Sequence, residues 1–419
     1  MIRPYLKILR RRDFFFLWFG QLVSQFGDKL TQIALIGLVT SFFKRPSPLV
    51  LAIIISMTII PAVIFSAITG VYVDRWSKRK TMYISDLLRG ICILLIPIFF
   101  FKSQFFFLIC ALIFLSSSVG RFFIPAKMAL IPHIIKKEDI FLANSLISVT
   151  ATAAALFGIG LGGIFVDRFG EKIVFNIDAL TFLLSAFSIF LISVKEKESF
   201  IPQDFLRLGK EVVTNVKTSI MKELKEGIKY IFTAHETKFA LKITLFLYSY
   251  IGALSTVYIA YIQNILDPFG KNIKAVGFTA IALTMGIFIG SLIYGRIAHK
   301  YSTKKTINYS IIFASCFLIF FVVYIKNHPY LIYAVFLVFI LGLIISPLFI
   351  AVNSLIHRKS EVNLLGRIFA GLEVVSHLGF LAAMFISSLF AKIFNPFVVI
   401  IFIGIIGFIF SLIFIIKND

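Results

Sequence analysis

Charge is scarce in this chain, and acid scarcer still. Asp, Glu, Lys and Arg make up only 15% of the residues, and 20 acids face 42 bases. Soluble domains keep near 25% charged residues, so this composition excludes an ordinary water-facing globule. The three cysteines, Cys92, Cys110 and Cys316, lie singly in apolar runs. They have no metal-type spacing, and packing is their expected role. The six histidines are scattered. His133 has Glu138 at the spacing of a His-x4-Asp motif, but not its aspartate, and nothing else clusters with it, which weighs against a membrane-embedded enzyme. No Gly-x4-Gly-Lys-Ser/Thr loop occurs, so ATP is not the expected driver and no cofactor is implied.

Apolar residues are abundant instead: 59% of the chain is hydrophobic, 50 residues are Phe, and mean hydropathy is +0.97. A bilayer crossing takes about 20 apolar residues as a helix, because hydrocarbon tolerates no unpaired backbone groups. Twelve such runs are present, at roughly 14–42, 48–73, 81–101, 105–130, 141–166, 173–193, 239–262, 275–298, 306–326, 329–354, 368–391 and 396–416. They are continuous rather than alternating, which excludes a transmembrane β-barrel. The opening MIRPYLKILRRRDFFFLWFG is basic and then apolar, like a signal peptide. No small-residue cleavage site follows, and it reads as a retained first helix.

A net charge of +22 raises the question of a nucleic-acid partner. The distribution answers it. With the N-terminus in the cytoplasm, 28 of the 42 Lys and Arg fall on cytoplasmic segments. That asymmetry is the positive-inside rule, so the charge sets topology, with both termini cytoplasmic and no nucleic acid implied. The expected location is the cell's inner (cytoplasmic) membrane.

One long polar segment interrupts the runs, at 194–238. Its apolar residues Phe205, Val212, Val216, Ile220, Leu224, Ile228 and Ile231 recur at helical spacing, as in an amphipathic helix lying on the membrane. It divides the chain into six-helix bundles at 1–193 and 239–419. The halves repeat each other: GVYVDRWSKRK (70–80) between runs two and three returns as GRIAHKYSTKK (295–305) between runs eight and nine. Two parallel six-helix repeats are the architecture of a rocking secondary transporter, and bent Gly/Pro helices suit alternating access better than a channel.

Gly70, Asp74, Arg75, Lys78 and Arg79 fit, position by position, the loop signature of the major facilitator superfamily, which the chain resembles. Ser77 replaces that signature's glycine, and His299 replaces Asp74 in the second copy. GQLVSQFGDKL (20–30), FFIPAKMALIPHII (122–135), LANSL (142–146), FNIDALTFLLSA (175–186) and LLGRIFAGL (364–372) are similar to the macrolide-efflux and enterobactin-exporter-like branch. Several of these phrases are also similar to lysophospholipid transporters of the superfamily. The resemblance implies an all-α fold of twelve membrane helices and a monomeric secondary transporter. It also implies that Asp74 is a gate, with Arg75, receiving the N-terminus of helix eleven near Gly366–Arg367. Arg75, Lys78, Arg79 and Lys80 can bind lipid phosphates or loop carboxylates, or serve as positive-inside anchors, the role expected of Lys78 and Lys80.

Other charges lie deeper. Asp28 falls about 21 Å along run one, where a carboxylate costs roughly 2.5–3.5 kcal/mol on insertion scales and so faces the bundle interior. Desolvation favours the protonated form of a carboxylate, which makes Asp28 a candidate proton carrier. The structural alternative is an ion pair with Arg121 or Lys29. Glu373 and His377, four residues apart on one helix face, form a second candidate relay. Arg121 is a weaker candidate, because FFIPAK does not match the intramembrane-arginine motif of superfamily antiporters. Asp86 and Arg89 read as a local pair at i,i+3. Asp178 reads as a capping or locally paired residue near the outer end of run six. Gly158, Gly160, Gly162 and Gly163 permit close packing of run five. The expected function is proton-coupled export of amphipathic or aromatic small molecules, against lysophospholipid transport as the alternative, with protons, substrate and membrane lipids as partners.

Overall fold

The protein is described from a computed structural model, over residues 3–43, 47–99, 105–194, 238–266, 273–298, 301–359 and 365–416. A short α1 (Arg3–Leu9) precedes twelve long helices. Those of the first half are α2 (Arg12–Phe43), α3 (Pro48–Arg75), α4 (Lys78–Phe99), α5 (Phe106–Ile134), α6 (Ile140–Phe169) and α7 (Glu171–Phe190). Those of the second are α8 (Lys238–Leu266), α9 (Lys274–Ile297), α10 (Thr303–Asn327), α11 (Leu331–Lys359), α12 (Leu365–Ile393) and α13 (Pro396–Ile416). Each covers one expected apolar run. The amphipathic segment expected at 194–238 falls almost wholly outside the described residues.

Eleven of the twelve are long and apolar enough to cross a membrane by composition alone. The exception, α2, has the length, but Gln21, Gln25, Asp28, Lys29 and Gln32 break its apolar run. Those polar residues make it the helix to examine for function, since polar groups in a membrane span face protein or a cavity. Large apolar side chains such as Phe107, Phe141 and Ile393 point outward, as lipid-facing positions do. Prolines inside α3, α4, α5 and α11 are tolerated because neighbouring groups in a membrane bundle re-satisfy the freed carbonyls.

The chain forms two compact units: Met1–Leu38 with Ile54–Lys222, and Val39–Ile53 with Glu223–Asp419. In the first, α4 packs along α5 and α7, and Phe14, Leu17, Met82, Leu130 and Ile189 are fully buried. Arg11 on the α1–α2 link holds Asp139, just before α6, at 2.7 Å. In the second, α9 packs along α11, and α8 along α12. Close approach there depends on glycine: a Cβ on Gly286 or Gly342 would strike the facing backbone, so α9 and α11 touch main chain to main chain. This is how small residues drive association where lipid removes the hydrophobic drive. Cys92 and Cys110 are buried and Cys316 is exposed.

Candidate functional site

The first unit builds its site on α7, which runs antiparallel to both α2 and α4. Along α2, the Ser188 hydroxyl donates to the Phe16 carbonyl at 2.8 Å. Further on, Ser185 lies close against Gly20, and Thr181 and Asp178 against Gly27, leaving no room for a Cβ at Gly27. Along α4, Arg79 donates to the Phe190 carbonyl at 2.8 Å and Ser185 to Asp86 Oδ2 at 2.5 Å, while Gly90 meets Ala179 and Phe182. The two registers bring Asp28, Asp86, Arg89 and Asp178 to one level.

Arg89 is the centre of this group. Its Nη2 donates to Asp28 Oδ1 at 2.7 Å, and its Nη1 lies 3.9 Å from Asp86 Oδ1. The guanidinium stands 4.1 Å from the centre of the Phe182 ring, and Gly120 of α5 closes on its stem. Asp178 accepts from Thr181 at 3.0 Å and lies within electrostatic reach of Asp28 and Arg89. Asp86 and Asp178 are fully buried, whereas the Asp28 side chain is 36% exposed, so Asp28 alone among the three carboxylates offers an accessible edge. Asp86 Oδ1 and Asp178 Oδ2 lack a hydrogen-bond partner, and Thr31 sits beside Asp178 without a bond of good geometry.

Several sequence expectations need correction. Asp28 pairs with Arg89, not with Arg121 or Lys29. Arg121 directs a guanidinium nitrogen to the Thr58 carbonyl, 3.5 Å away, and Lys29 reaches Gln32 at 3.3 Å. The Asp86–Arg89 contact exists, but it is the longer of two. Asp178 pairs locally, accepting from Thr181 as expected, and it also lies within electrostatic reach of Asp28 and Arg89. Counted back from Phe190, which meets Arg79, Asp178 is twelve residues in, about 18 Å. Arg89 is ten residues beyond Arg79, about 15 Å. Lys127, not singled out from sequence, is buried on α5 and donates to Gln21 on α2 at 2.9 Å.

The hinge motif is placed in part. Gly70, Asp74 and Arg75 occupy the last turns of α3, and Lys78 opens α4. The side chains of Asp74 and Arg75 lie outside the described residues, as does His299. Arg79 donates to the Phe190 carbonyl that ends α7, where a cation complements the helix end. The Ser77 hydroxyl accepts from the Lys80 amide at 3.2 Å, so the residue that departs from the usual glycine caps α4. On α12, the His377 ring lies 6.0 Å from that of Tyr248. The Glu373 side chain falls outside the described residues, and so does the suggested relay between the two.

The Major Facilitator Superfamily family model matches residues 17–356 and 243–419. The chain belongs to the Major Facilitator Superfamily. It is 27% identical over 363 residues to the uncharacterized MFS-type transporter YkuC of Bacillus subtilis (strain 168), covering 86% of this chain and 81% of that one. It is 21% identical over 284 residues to macrolide efflux protein A of Streptococcus pyogenes, covering 67% and 66%. In fold it matches the crystal structure of a bacterial homologue of the iron transporter ferroportin in an inward-facing state, with a TM-score of 0.72 at 13% identity, covering 97% of this chain and 98% of that one. That likeness concerns the fold alone. The protein is a multi-pass membrane transporter.

Proposed function

We propose that the protein is a proton-coupled exporter of amphipathic or aromatic small molecules in the cytoplasmic membrane, working as a monomer by alternating access with both termini inside. One observation carries this reading: three carboxylates share one guanidinium inside the first unit. With all four groups ionised, two negative charges are left uncompensated. A single charge at mid-membrane costs roughly 2.5–3.5 kcal/mol on insertion scales, and a buried carboxylate oxygen without a donor adds to that. Taking up protons relieves both. Asp28, with its accessible edge, is the point of proton entry, and Asp86 and Asp178 form the reservoir behind it. Arg89 keeps one carboxylate ionised and is the partner that moves between them as protons arrive.

The efflux name of a relative supports export rather than import, and the apolar, Phe-rich helices support an amphipathic or aromatic cargo. Lysophospholipid transport is the second reading, supported by the same apolar helices. Proteoliposomes with and without an imposed pH gradient, offered coumarin, ethidium, Hoechst 33342 and a fluorescent lysophosphatidylcholine, test both. Gradient-driven movement of the dyes supports the first reading. Movement of the lysolipid alone favours the second.

A further inference from the structure

The basic start of the chain is fixed against the first unit. Ile8 of α1 is fully buried in one core cluster with Ile135 and Ala143, and α1 packs on α6. The Arg11–Asp139 pair ties the link after α1 to the residue just before α6. Lys137 and Phe141 stand two residues either side of Asp139, at most about 7 Å along the chain. What this fixed segment turns outward is basic. Lys7, Arg10, Arg12, Lys136 and Lys137 are exposed, and among the described residues none of them pairs with an acid. Of the acids close by in sequence, Asp139 is taken up by Arg11, Asp13 accepts from the Ser193 amide at 2.9 Å, and Glu138 alone is exposed. Apolar side chains stand exposed among these cations: Leu6 at 51%, Phe15 at 40% and Phe141 at 85%.

We propose that this surface binds an anionic phospholipid, with the cations on its headgroup phosphate and Leu6, Phe15 and Phe141 against the start of its acyl chains. Exposed cations that outnumber the exposed acid favour an anion, and a polybasic segment beside a membrane span is attracted to anionic lipid. The exposed Leu6 and aromatic rings favour an apolar part on that same partner, which free phosphate lacks. Position agrees: only Arg10 and Arg11 separate α1 from α2, so the surface lies at the level of lipid headgroups. The general preference of Lys and Arg for one side of a membrane needs no fixed structure. Here the buried Ile8 and the Arg11–Asp139 pair hold the cations in one place, which makes a site out of a charge bias. The site goes beyond the export reading and does not depend on proton coupling or on the direction of transport.

The test is native mass spectrometry of the full-length protein in detergent, titrated separately with dioleoylphosphatidylglycerol and dioleoylphosphatidylcholine. Phosphatidylglycerol should bind saturably and more tightly than phosphatidylcholine, and an equal concentration of glycerol 3-phosphate should not displace it. A cation beside anionic lipid is worth about fivefold in affinity, so Arg10→Gln/Arg12→Gln should weaken binding of the first phosphatidylglycerol about 25-fold. Arg10→Lys/Arg12→Lys should keep the parent affinity. Lys304→Gln/Lys305→Gln removes the same charge at the start of α10, in the second unit, and should leave that first affinity unchanged. All four residues are exposed, and if the double arginine variant is unstable, Arg10→Gln alone carries the test with a loss of about fivefold. Equal weakening by the two double variants would mean that diffuse charge attracts the lipid, and would overturn the site. Equal affinity for the two lipids, or displacement by glycerol 3-phosphate, would overturn it as well. No gradient is present, so a failure here leaves proton coupling standing, and a failure of proton coupling leaves this site standing.

Discussion

Arg89 on α4 reaches Asp28 on α2 at 2.7 Å, 61 residues away in sequence, while Asp86, three residues before it on its own helix, is held at 3.9 Å. The guanidinium thus favours the more accessible of its two carboxylate neighbours. The proton coupling proposed above would act through this contact, which joins α2 to α4.

Removing the cation should be worse than removing an acid. Arg89→Gln leaves three carboxylates without a counter-charge. Breaking a buried pair by deleting one partner costs roughly 3–5 kcal/mol, and the partial exposure of Asp28 reduces this to about 2 kcal/mol. Thermal unfolding in detergent should show the loss, and Asp28→Asn added to Arg89→Gln should restore part of it. An Arg89→Gln protein as stable as the parent would remove Arg89 from the centre of the group.

Gly27→Ala should damage the same site from the backbone side. Its Cβ would collide with Thr181 and Asp178, and overpacking costs typically about 1–3 kcal/mol. Transport should fall with stability, while Gly295→Ala, which meets nothing within 4 Å, should leave stability unchanged. Equal stability of the two variants would contradict the packing described for α2 and α7.

The hinge should be asymmetric. Asp74→Asn is expected to slow turnover while keeping substrate affinity within a few fold, because it shifts a conformational equilibrium and not a binding site. Replacing His299, which stands where the second copy lacks the carboxylate, should matter less. Dye-efflux rates for both variants decide it, and equal losses would argue against the asymmetry.

Helices and membrane insertion were legible because hydrophobic run length is a one-dimensional property, and each long helix covers its run. The candidate site was legible only in part. Asp28 stood out as an acid within an apolar run, yet its partner did not. Arg89 looked committed to Asp86 three residues away, and nothing local reveals that α7 sets α2 and α4 to the same depth. A signal existed for Asp178: it is an acid within a strongly apolar helix, and the depths of Asp178 and Arg89 agree when both are counted from the Arg79–Phe190 contact. Lys127 was hidden by its place near the end of run four, where a basic residue reads as a topology anchor.

Gradient-driven transport by Asp28→Asn tests the central claim most directly. Proteoliposomes carrying parent or variant protein are loaded with Hoechst 33342, and efflux is followed with and without an imposed pH gradient. The account predicts that the variant loses at least tenfold of its uphill rate, while downhill exchange persists and becomes nearly independent of pH. Uphill transport at the parent rate by Asp28→Asn would contradict it.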